Sequence, residues 1–317
     1  MKYLVTGGAG FIGSNIVKEL LKKGEQVRVL DNFATGKREN LFEFRGNPNF
    51  ELIEGDLRSF HIVRDAVKGV DYILHQGALP SVPRSINDPI TTNDVNILGT
   101  LNILEAAKEF GVERVVYASS SSVYGNSEGS ASGRSEILPK TEDIPVQPLS
   151  PYALSKYAGE RYCQIYHQIY GLETVVLRYF NVFGPNQDPT SQYSAVIPKF
   201  IKAIKENRQP IIYGNGLQSR DFTYVSNNVE ANILACTAEG VVGEVFNIAC
   251  GQRFTLLDLV KYINEILGKN IEPIFSNKRS GDVMHSLASI EKAKKELKFK
   301  VICDFQEGLD KLIKEEL

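Results

Sequence analysis

A glycine-rich turn close to the start of the chain constrains the fold more than any other feature of this sequence. Gly7, Gly10 and Gly13 are spaced three residues apart, directly after the apolar run Tyr3–Thr6 and at the start of a helical pattern. The first glycine permits a tight turn, the second lets the backbone approach a pyrophosphate, and the third lets helix and sheet pack closely. A helix N-terminus also attracts phosphate. The pattern therefore predicts a strand, a turn and a helix that bind a dinucleotide.

An acidic residue at the end of the second apolar run indicates which dinucleotide. Asp31 follows Gln26–Leu30 and stands 18 residues beyond Gly13. A carboxylate there can accept hydrogen bonds from the adenosine ribose hydroxyls and repel a 2′-phosphate, which favours NAD. Lys37 and Arg38 follow on the next loop, and they leave discrimination against NADP open at this point.

Short apolar runs alternate with helical patterns through the first 180 residues. That alternation is typical of an α/β fold in which helices cover both faces of a parallel sheet. It also predicts one long helix over Asn93–Phe110, which Gly111 ends. Six runs read as strands and make two mononucleotide-binding halves of a Rossmann fold, a doubly wound parallel sheet. They are Tyr3–Thr6, Gln26–Leu30, Phe50–Glu54, Asp71–Gln76, Arg114–Ser119 and Glu173–Tyr179.

The pattern loosens after Phe180, where turn formers become frequent. We therefore expect residues 1–180 to form an NAD-binding Rossmann domain to which a segment near 222–250 returns. Residues 181–317 are then mostly a smaller, interleaved α/β domain that binds substrate. The Ser/Gly-rich stretch Gly125–Gly133 predicts a flexible loop placed where it could act as a lid. Further helices are predicted near Val196–Glu206, Asn228–Ala238, Leu256–Leu267 and Ile290–Leu297.

Charge and cysteine usage exclude several classes of partner. Thirty-six basic and 38 acidic residues give a formal charge of −2, and there is no basic block to neutralise nucleic acid. No stretch approaches the roughly 18 apolar residues that span a bilayer, and Gly7 comes too early for a signal peptide, so we expect a cytoplasmic protein without membrane contact. The four cysteines and four histidines show neither disulfide nor metal-ligand spacing, so no metal site is expected and packed or solvated roles are favoured for the histidines.

Two further clusters carry side chains suited to chemistry on an alcohol. Ser150 can cap a helix, so Tyr152 and Lys156 fall one turn apart on a single face. An ammonium beside a phenol lowers the pKa of the phenol, and the pair can then act as a base for an alcohol proton. The serine run Ser119–Ser122 follows the fifth predicted strand, where ligands of such sheets bind, and its hydroxyls can polarise a reacting alcohol or ketone.

Many ordered motifs together resemble the extended short-chain dehydrogenase/reductase family acting on nucleotide sugars. The resemblance covers nearly the whole chain and is closest to the UDP-sugar 4-epimerases, especially those that interconvert UDP-N-acetylglucosamine and UDP-N-acetylgalactosamine. The motifs are Val5–Gly13, Asp31-Asn32, Gly55–Leu57, His75–Ala78, Ser81–Ser85, Ser119–Gly125, Ser150–Glu160, Arg178–Gly184, Ala195–Lys199, Ser219–Val225 and Arg279–Ser286.

The resemblance assigns roles to individual positions. It implies that Ser120, Tyr152 and Lys156 are catalytic, with Tyr152 as the proton shuttle and Lys156 on the nicotinamide ribose. The two arginines of the substrate set would converge on the diphosphate. The implied cofactor contacts, besides Tyr152 and Lys156, are Gly7, Gly10, Phe11, Ile12, Gly13, Asp31, Asn32, Asp56, Leu57, Gln76, Ala78, Asn96, Ser119, Tyr179 and Val182. The implied substrate contacts, besides Ser120 and Tyr152, are Ser81, Val82, Ser121, Ser122, Asn181, Ala195, Val196, Lys199, Tyr213, Arg220, Arg279, Asp282 and Ser286.

Within the family, two positions bear on the reaction. Related 4,6-dehydratases carry an aspartate and a glutamate where this chain has Ser121 and Ser122, and sugar-acid decarboxylases carry a glutamate at the position of Ser122, which disfavours both reactions. Epimerisation at C4 remains: Tyr152 takes the 4-hydroxyl proton as hydride passes to NAD, and hydride returns to the opposite face of the 4-keto sugar. A UDP-hexuronic acid 4-epimerase is an alternative, and so is a non-catalytic protein that senses a nucleotide sugar or NAD.

Two more positions concern specificity and a departure from the family pattern. The family places a gate for the sugar C2 substituent at position 286, where a tyrosine would obstruct an acetamido group and Ser286 leaves room. The acetylated UDP-sugars are therefore expected as substrates, with UDP-glucose and UDP-galactose also possible. Asn227 stands where many relatives carry an aspartate.

The resemblance also implies a homodimer. In relatives, the helices corresponding to Asn93–Phe110 and Tyr152–Tyr170 pair across the dimer. Core packing within one chain explains the apolar residues of these helices equally well. The residues concerned are Ile97, Leu101, Leu104, Tyr166 and Ile169.

Overall fold

The computed structural model describes residues 1–125, 139–188, 196–277 and 284–315. In the first part of the chain the elements are β1 (Lys2–Thr6), α1 (Phe11–Lys22), β2 (Gln26–Asp31), β3 (Phe50–Glu54), α2 (Phe60–Val67), β4 (Tyr72–His75), α3 (Val82–Asn87), α4 (Pro89–Asn93), α5 (Gly99–Phe110), β5 (Arg114–Ser120), α6 (Pro151–Tyr170) and β6 (Glu173–Tyr179). They continue with β7 (Val182–Phe183), α7 (Val196–Lys205), β8 (Ile211–Tyr213), β9 (Ser219–Arg220), β10 (Thr223–Tyr224), α8 (Val225–Thr237), β11 (Val245–Ile248), β12 (Phe254–Thr255), α9 (Leu256–Leu267), β13 (Ile274–Ser276), β14 (His285–Ser286), α10 (Glu291–Lys295) and α11 (Phe305–Glu315).

A seven-stranded parallel sheet organises the first part of the chain, in the order β11-β6-β5-β4-β1-β2-β3. The order reverses direction between β1 and β4, which is the switch point where a doubly wound sheet binds its ligand. All six strands expected from the sequence are present, and the Rossmann prediction is confirmed. The seventh strand, β11, comes from the returning segment near 222–250, and its Val245 pairs with Val176 of β6.

The helix expected over Asn93–Phe110 is interrupted. Helix α4 ends at Asn93, a single π-helical turn covers Asp94–Leu98, and α5 begins at Gly99. The apolar spacing still reads as helical across this junction, because a π turn inserts one residue without ending the helix. Helix α8 begins at Val225, three residues before the predicted start, since Tyr224 is its extended N-cap.

Alternating residues of the strands feed two separate cores, one on each face of the sheet. Tyr3, Val5 and Val29 pack against α1 and α8, whereas Leu4 and Ile73 pack against α2 and α5. This two-sided burial is what a parallel sheet covered by helices requires. Among the described residues no helix combines the length and apolarity needed to cross a bilayer.

A third core lies under the shorter strands of the second part of the chain. Phe305 of α11 is at its centre, with its ring centroid 4.4 Å from that of Phe254 and 5.2 Å from that of Phe222. Leu259 of α9 and Phe200 of α7 are buried in the same cluster. Burial of each such side chain stabilises the fold by about 1.5–3 kcal/mol. Phe183 of β7, which closely follows β6, belongs to the same cluster and joins this core to the carboxyl end of the large sheet.

Candidate active site

The glycine turn forms a shallow cradle between β1 and α1. Gly7 has a φ of +66°, and a Cβ at this residue would lie 2.8 Å from the Gly77 Cα. A Cβ at Gly13 would lie 2.2 Å from the Gly7 carbonyl oxygen. Helix α1 starts at Phe11, and Gly10, its N-cap, has no side chain to cover the end of the helix. A bare helix N-terminus behind a turn without side chains fits the pyrophosphate of NAD.

The residues expected at the adenosine ribose stand at the end of β2. The Asp31 carboxylate accepts the Ala9 N–H at 2.9 Å and the Phe33 N–H at 2.8 Å. Burial raises the pKa of Asp31, and these two bonds oppose the shift. Lys37 pairs with Asp188, and Arg38 pairs with Glu54 at 2.6 Å. Because both cations have acidic partners, they do not counter the preference of Asp31 for an unphosphorylated ribose.

Three further residues of the predicted cofactor set, Asn32, Asp56 and Leu57, lie on the loops that follow β2 and β3. The Asn32 amide donates to Asp56 at 2.8 Å, and Arg58 donates to the same carboxylate through two nitrogens at 2.8 and 2.9 Å. These hydrogen bonds from Arg58 hold the pKa of Asp56 well below its usual range. Leu57 is buried beneath them, against Gly77. The polar side chains of Asn32, Asp56 and Arg58 therefore lie next to the apolar side chain of Leu57.

A closed ring of three hydrogen bonds joins the ends of β4 and β6 to α8. Tyr179 donates to Gln76 at 3.1 Å, Gln76 donates to Asn232 at 2.9 Å, and Asn232 donates to the Tyr179 oxygen at 2.6 Å. Sequence reasoning selected Gln76, Tyr179 and the half-buried Ala78, but it missed Asn232. A lone asparagine in an apolar helix gives no local signal of a partner 156 positions away.

The three predicted catalytic side chains meet at the carboxyl end of β5. Helix α6 begins after Ser150, whose hydroxyl accepts the Ala153 N–H at 3.1 Å, and this cap fixes the turn that carries Tyr152. The Ser120 hydroxyl accepts the Ser122 N–H at 3.2 Å and forms a hydrogen bond with the Tyr152 phenol. Lys156 follows one turn later, and its Nζ donates to the Ala118 carbonyl at 2.8 Å.

The protonation behaviour of Tyr152 differs from the expectation. Burial raises the pKa of Tyr152 above its ordinary value, and only the hydrogen bond from Ser120 lowers it. Without a bound cofactor, Lys156 does not lower the pKa of the Tyr152 phenol, because its ammonium donates to the Ala118 carbonyl. Burial also lowers the pKa of Lys156 to about 8. The protein without its cofactor therefore does not show the expected lowering of the Tyr152 pKa by Lys156.

Ser119 has a structural environment unlike that of Ser120. Its hydroxyl donates to Glu160 at 2.5 Å, and Glu160 accepts two more hydrogen bonds from Arg178 at 2.9 and 2.7 Å. Successive residues of a strand point to opposite faces, so Ser119 faces the interior when Ser120 faces the site. The side chain of Ser119 therefore supports α6 through Glu160, and a contact between Ser119 and the cofactor stays a prediction.

Asn96 is also occupied by contacts within the protein. Its amide donates to the Leu79 carbonyl at 3.1 Å and to the Ser155 hydroxyl at 3.0 Å, and its oxygen accepts the Leu79 N–H at 2.7 Å. It lies on the π-helical turn and is 1% exposed. These contacts hold the loop after β4 against α6, and the predicted contact of Asn96 with the cofactor stays a prediction.

A cavity of about 540 Å³ opens between α7 and β8. Four cationic side chains border it, and no carboxylate is among the described residues that line it. This volume and charge suit a nucleoside diphosphate bound through paired guanidinium and ammonium contacts. The lining includes Val182 from the predicted cofactor set and five residues from the predicted substrate set: Asn181, Val196, Lys199, Tyr213 and Arg220.

The remaining predicted substrate residues have varied surroundings. Ser81 has a φ of +93°, which is rare for a side-chain-bearing residue, and it caps α3, whose first residue, Val82, is exposed. Ser121 and Ser122 form the 3-10 turn after β5. The Ser122 hydroxyl is buried without a hydrogen-bond partner among the described residues. Ala195, Arg279 and Asp282 lie outside the described residues, as does most of Gly125–Gly133.

Ser286 lies directly beside Arg220, since β14 pairs with β9 at these two residues. The adjacent Asp221, which sequence reasoning did not select, is fully buried. Its carboxylate accepts the N–H groups of Cys250 at 3.0 Å and Ala288 at 3.2 Å. Burial raises the pKa of Asp221 to about 7, and these bonds oppose the shift. Asp221 therefore ties together the segments that present Arg220 and Ser286.

Comparison with known proteins places this geometry in a family. The family model of the NAD dependent epimerase/dehydratase family matches residues 3–249. A putative UDP-glucose 4-epimerase of Methanocaldococcus jannaschii is 38% identical, over 98% of this chain and 96% of its own. The solved structure of the UDP-N-acetylglucosamine 4-epimerase of Methanobrevibacter ruminantium, in complex with UDP-N-acetylmuramic acid, is 40% identical, with a TM-score of 0.91 over 99% of this chain and 97% of its own.

A third relative was crystallised with the cofactor. The UDP-glucuronic acid 4-epimerase of Bacillus cereus, in complex with NAD and a fluorinated UDP-glucuronic acid, is 32% identical, with a TM-score of 0.89 over the full length of both chains. The glycine cradle and Asp31 of this chain fit the same cofactor. The chain therefore belongs to the NAD-dependent epimerase/dehydratase family, among its members that resemble UDP-sugar 4-epimerases, and NAD is its cofactor.

Proposed function

We propose that this protein epimerises UDP-N-acetylglucosamine and UDP-N-acetylgalactosamine at C4, and that it also accepts UDP-glucose and UDP-galactose. The observation that carries this proposal is the Ser120–Tyr152 pair, which stands at the end of β5 next to a turn with no carboxyl group at Ser121 or Ser122. The site can therefore move a proton on and off a hydroxyl, but it lacks the carboxyl groups that related dehydratases and sugar-acid decarboxylases carry at these positions.

Each catalytic group has a defined task in this proposal. Tyr152 removes the proton of the sugar 4-hydroxyl and later returns it, while the Ser120 hydroxyl donates a hydrogen bond to the same oxygen. Lys156 holds the ribose next to the reacting carbon and supplies positive charge near Tyr152. The glycine cradle would hold NAD, which would supply the acceptor and donor for the C4 hydride. Positioned acid–base groups of this kind contribute about 10²–10⁴-fold to the rate.

Ser286 carries the proposed preference for acetylated sugars. It is 9% exposed and adjacent to Arg220, which lines the diphosphate cavity. A tyrosine ring at this position would occupy the space beside the sugar, whereas serine leaves room for an acetamido group. Ser286→Tyr should lower kcat/KM for the acetylated pair by about tenfold or more. The control Ser286→Ala should leave all four substrates unaffected, and an equal loss on both pairs would refute the gate.

A substrate panel followed by NMR tests the function directly. The enzyme with NAD would be mixed separately with UDP-N-acetylglucosamine, UDP-glucose and UDP-glucuronic acid, and the C4 epimer of each would be quantified. Turnover of the acetylated sugar, lost in Tyr152→Phe, is the expected result. Exclusive turnover of the uronic acid would replace the proposed substrate, and no turnover at all would favour a sensor.

We also propose that the protein forms a homodimer. The support for this proposal is a set of exposed apolar side chains on neighbouring helices. Ile86 and Ile90 are 62% and 74% exposed on α3 and α4, and Leu154 and Ile169 are 56% and 68% exposed on α6. Two residues of the predicted seam, Leu104 and Tyr166, belong instead to the core of the chain. Light scattering should give twice the chain mass, and Leu154→Glu should reduce it; a monomeric parent protein would contradict the proposal.

A further inference from the structure

His75 is a deeply buried titratable side chain close to the predicted catalytic residues, and the proposed function assigns it no role. It is the last residue of β4, is 1% exposed, and precedes the loop that carries Gln76 and Ala78. Its Nδ1 lies 2.7 Å from the Thr6 hydroxyl, and its Nε2 lies 3.0 Å from the Thr100 hydroxyl. Both ring nitrogens are therefore engaged inside the protein.

The neighbours of the ring determine which nitrogen carries the proton. The Thr100 hydroxyl donates its single proton to the Asn96 carbonyl at 2.6 Å, so it can only accept from His75. Nε2 must then carry a proton and Nδ1 must accept from Thr6, whose oxygen in turn accepts the Gly77 N–H at 3.0 Å. The Thr6 hydroxyl thus donates once and accepts once. The Thr100 hydroxyl is also hydrogen-bonded to the Tyr117 phenol, but its bond to the Asn96 carbonyl has one possible direction, because a carbonyl can only accept.

The environment also keeps the ring neutral. Burial and, to a smaller extent, the nearby Lys156 ammonium together lower the pKa of His75 to about 3. A second proton on the ring would break the bond from Thr6 and place two positive charges next to each other.

The chain of bonds continues from Asn96 to the catalytic helix. Asn96 donates to the Ser155 hydroxyl at 3.0 Å, and Ser155 donates to the Tyr152 carbonyl at 2.8 Å. At its other end lies Gly77, which is packed against Gly7 of the cofactor turn. The five linked side chains are Thr6, His75, Thr100, Asn96 and Ser155, and each is no more than 2% exposed.

We propose that His75 is a positioning residue: a neutral imidazole with its proton on Nε2 that sets the distance between the cofactor turn and the helix carrying Tyr152. This role rests on the proposed function, because the distance matters only if Tyr152 and the cofactor act on one substrate. A displacement of about 1 Å between reacting groups can lower a rate about 10²-fold.

The protonation state can be measured without any substrate. Two-dimensional ¹H–¹⁵N spectra of the imidazole rings would be recorded on protein labelled in its four histidines, with His75 assigned by its absence in a variant. The expected result is a protonated Nε2 and a bare Nδ1 from about pH 6 to pH 8. A proton on Nδ1, or a doubly protonated ring in this range, overturns the proposal.

Two variants test separately the hydrogen bonds on either side of His75, toward Thr6 and toward Thr100. His75→Gln can keep a donor toward Thr100 but loses the acceptor for Thr6, so it should weaken NAD binding. His75→Asn can keep the acceptor for Thr6 but loses the donor to Thr100, so it should lower kcat while KM for the UDP-sugar stays unchanged. Tyr72→Phe, a buried change at the opposite end of β4, is the control for a general loss of stability.

A minimum effect is required of each variant. Relative to Tyr72→Phe, the proposal requires at least about a threefold loss of NAD affinity in His75→Gln and of kcat in His75→Asn. A smaller loss in either variant overturns it. A wild-type protein inactive on every UDP-sugar would contradict the proposed function instead, while the ring protonation and NAD affinity would still test His75. If both variants fail to fold, the wild-type spectrum alone decides.

Discussion

Replacement of Glu160 by glutamine should destabilise the protein far more than replacement of a similar carboxylate at the surface. Glu160 is bonded to Arg178 through two nitrogens and to Ser119, and the side chains of the ion pair are 2% and 5% exposed. Glu160→Gln leaves the Arg178 charge buried without its counter-ion. Removal of one partner of such a pair costs about 3–5 kcal/mol.

The same sheet provides a matched control. Glu173, at the other end of β6, also accepts two hydrogen bonds from an arginine, Arg114, at 2.8 and 2.7 Å, but its side chain is 46% exposed. Solvent screens this pair, so Glu173→Gln should cost at most about 1 kcal/mol. Arg114 also keeps two carbonyl partners in that variant, at 2.9 and 2.8 Å.

Urea unfolding of the three proteins, followed by circular dichroism at equal NAD concentration, measures the difference. A shift of the midpoint in Glu160→Gln several times larger than in Glu173→Gln, with unchanged slopes, is the expected result. The double variant Glu160→Gln/Arg178→Met should recover part of the loss, because it removes the unpaired charge. Equal shifts in the two single variants would refute the argument that burial makes this ion pair important.

Three further predictions follow from single contacts. Asn227→Asp should destabilise the fold by about 1–3 kcal/mol, because Asn227 donates to the Cys303 carbonyl at 2.7 Å and a carboxylate cannot; an equally stable variant in urea would contradict this. Since burial lowers the pKa of Lys156 to about 8, its ammonium is lost as the pH rises through that value, and kcat/KM should fall above it; a profile without this alkaline decrease would argue against the role of Lys156. Gly13→Ala should weaken NAD binding in calorimetry by about tenfold or more, because its Cβ would lie 2.2 Å from the Gly7 oxygen, whereas unchanged affinity would show that the turn is not the cofactor cradle.

The sequence was sufficient to predict those structural features that depend on interactions between residues close together along the chain. The apolar runs predicted β3 and β6 with their observed bounds, and the glycine spacing predicted the turn between β1 and α1. The spacing of Tyr152 and Lys156 likewise placed both residues on one turn of α6. In each case the controlling interactions lie within about one helical turn or one strand.

Other features depend on partners that are distant along the chain. Strand β11 has only four residues and includes the buried Asn247, so it was not recognised before its pairing with β6 was known. Asp221 and Asn232 were missed for the same reason, since their partners are supplied by other segments. The orientation of Ser119, by contrast, follows from strand alternation once Ser120 is assigned to the site.

The placement of β11 has a consequence for how the chain acquires its structure during synthesis. The edge of β6 is completed only by Val245–Ile248, and 65 residues separate Tyr179 from Val245. Until the ribosome has released that segment, the nascent protein carries an open, apolar strand edge of the kind that pairs with other chains. Truncation after β6 should therefore yield an aggregation-prone fragment rather than an independent nucleotide-binding module.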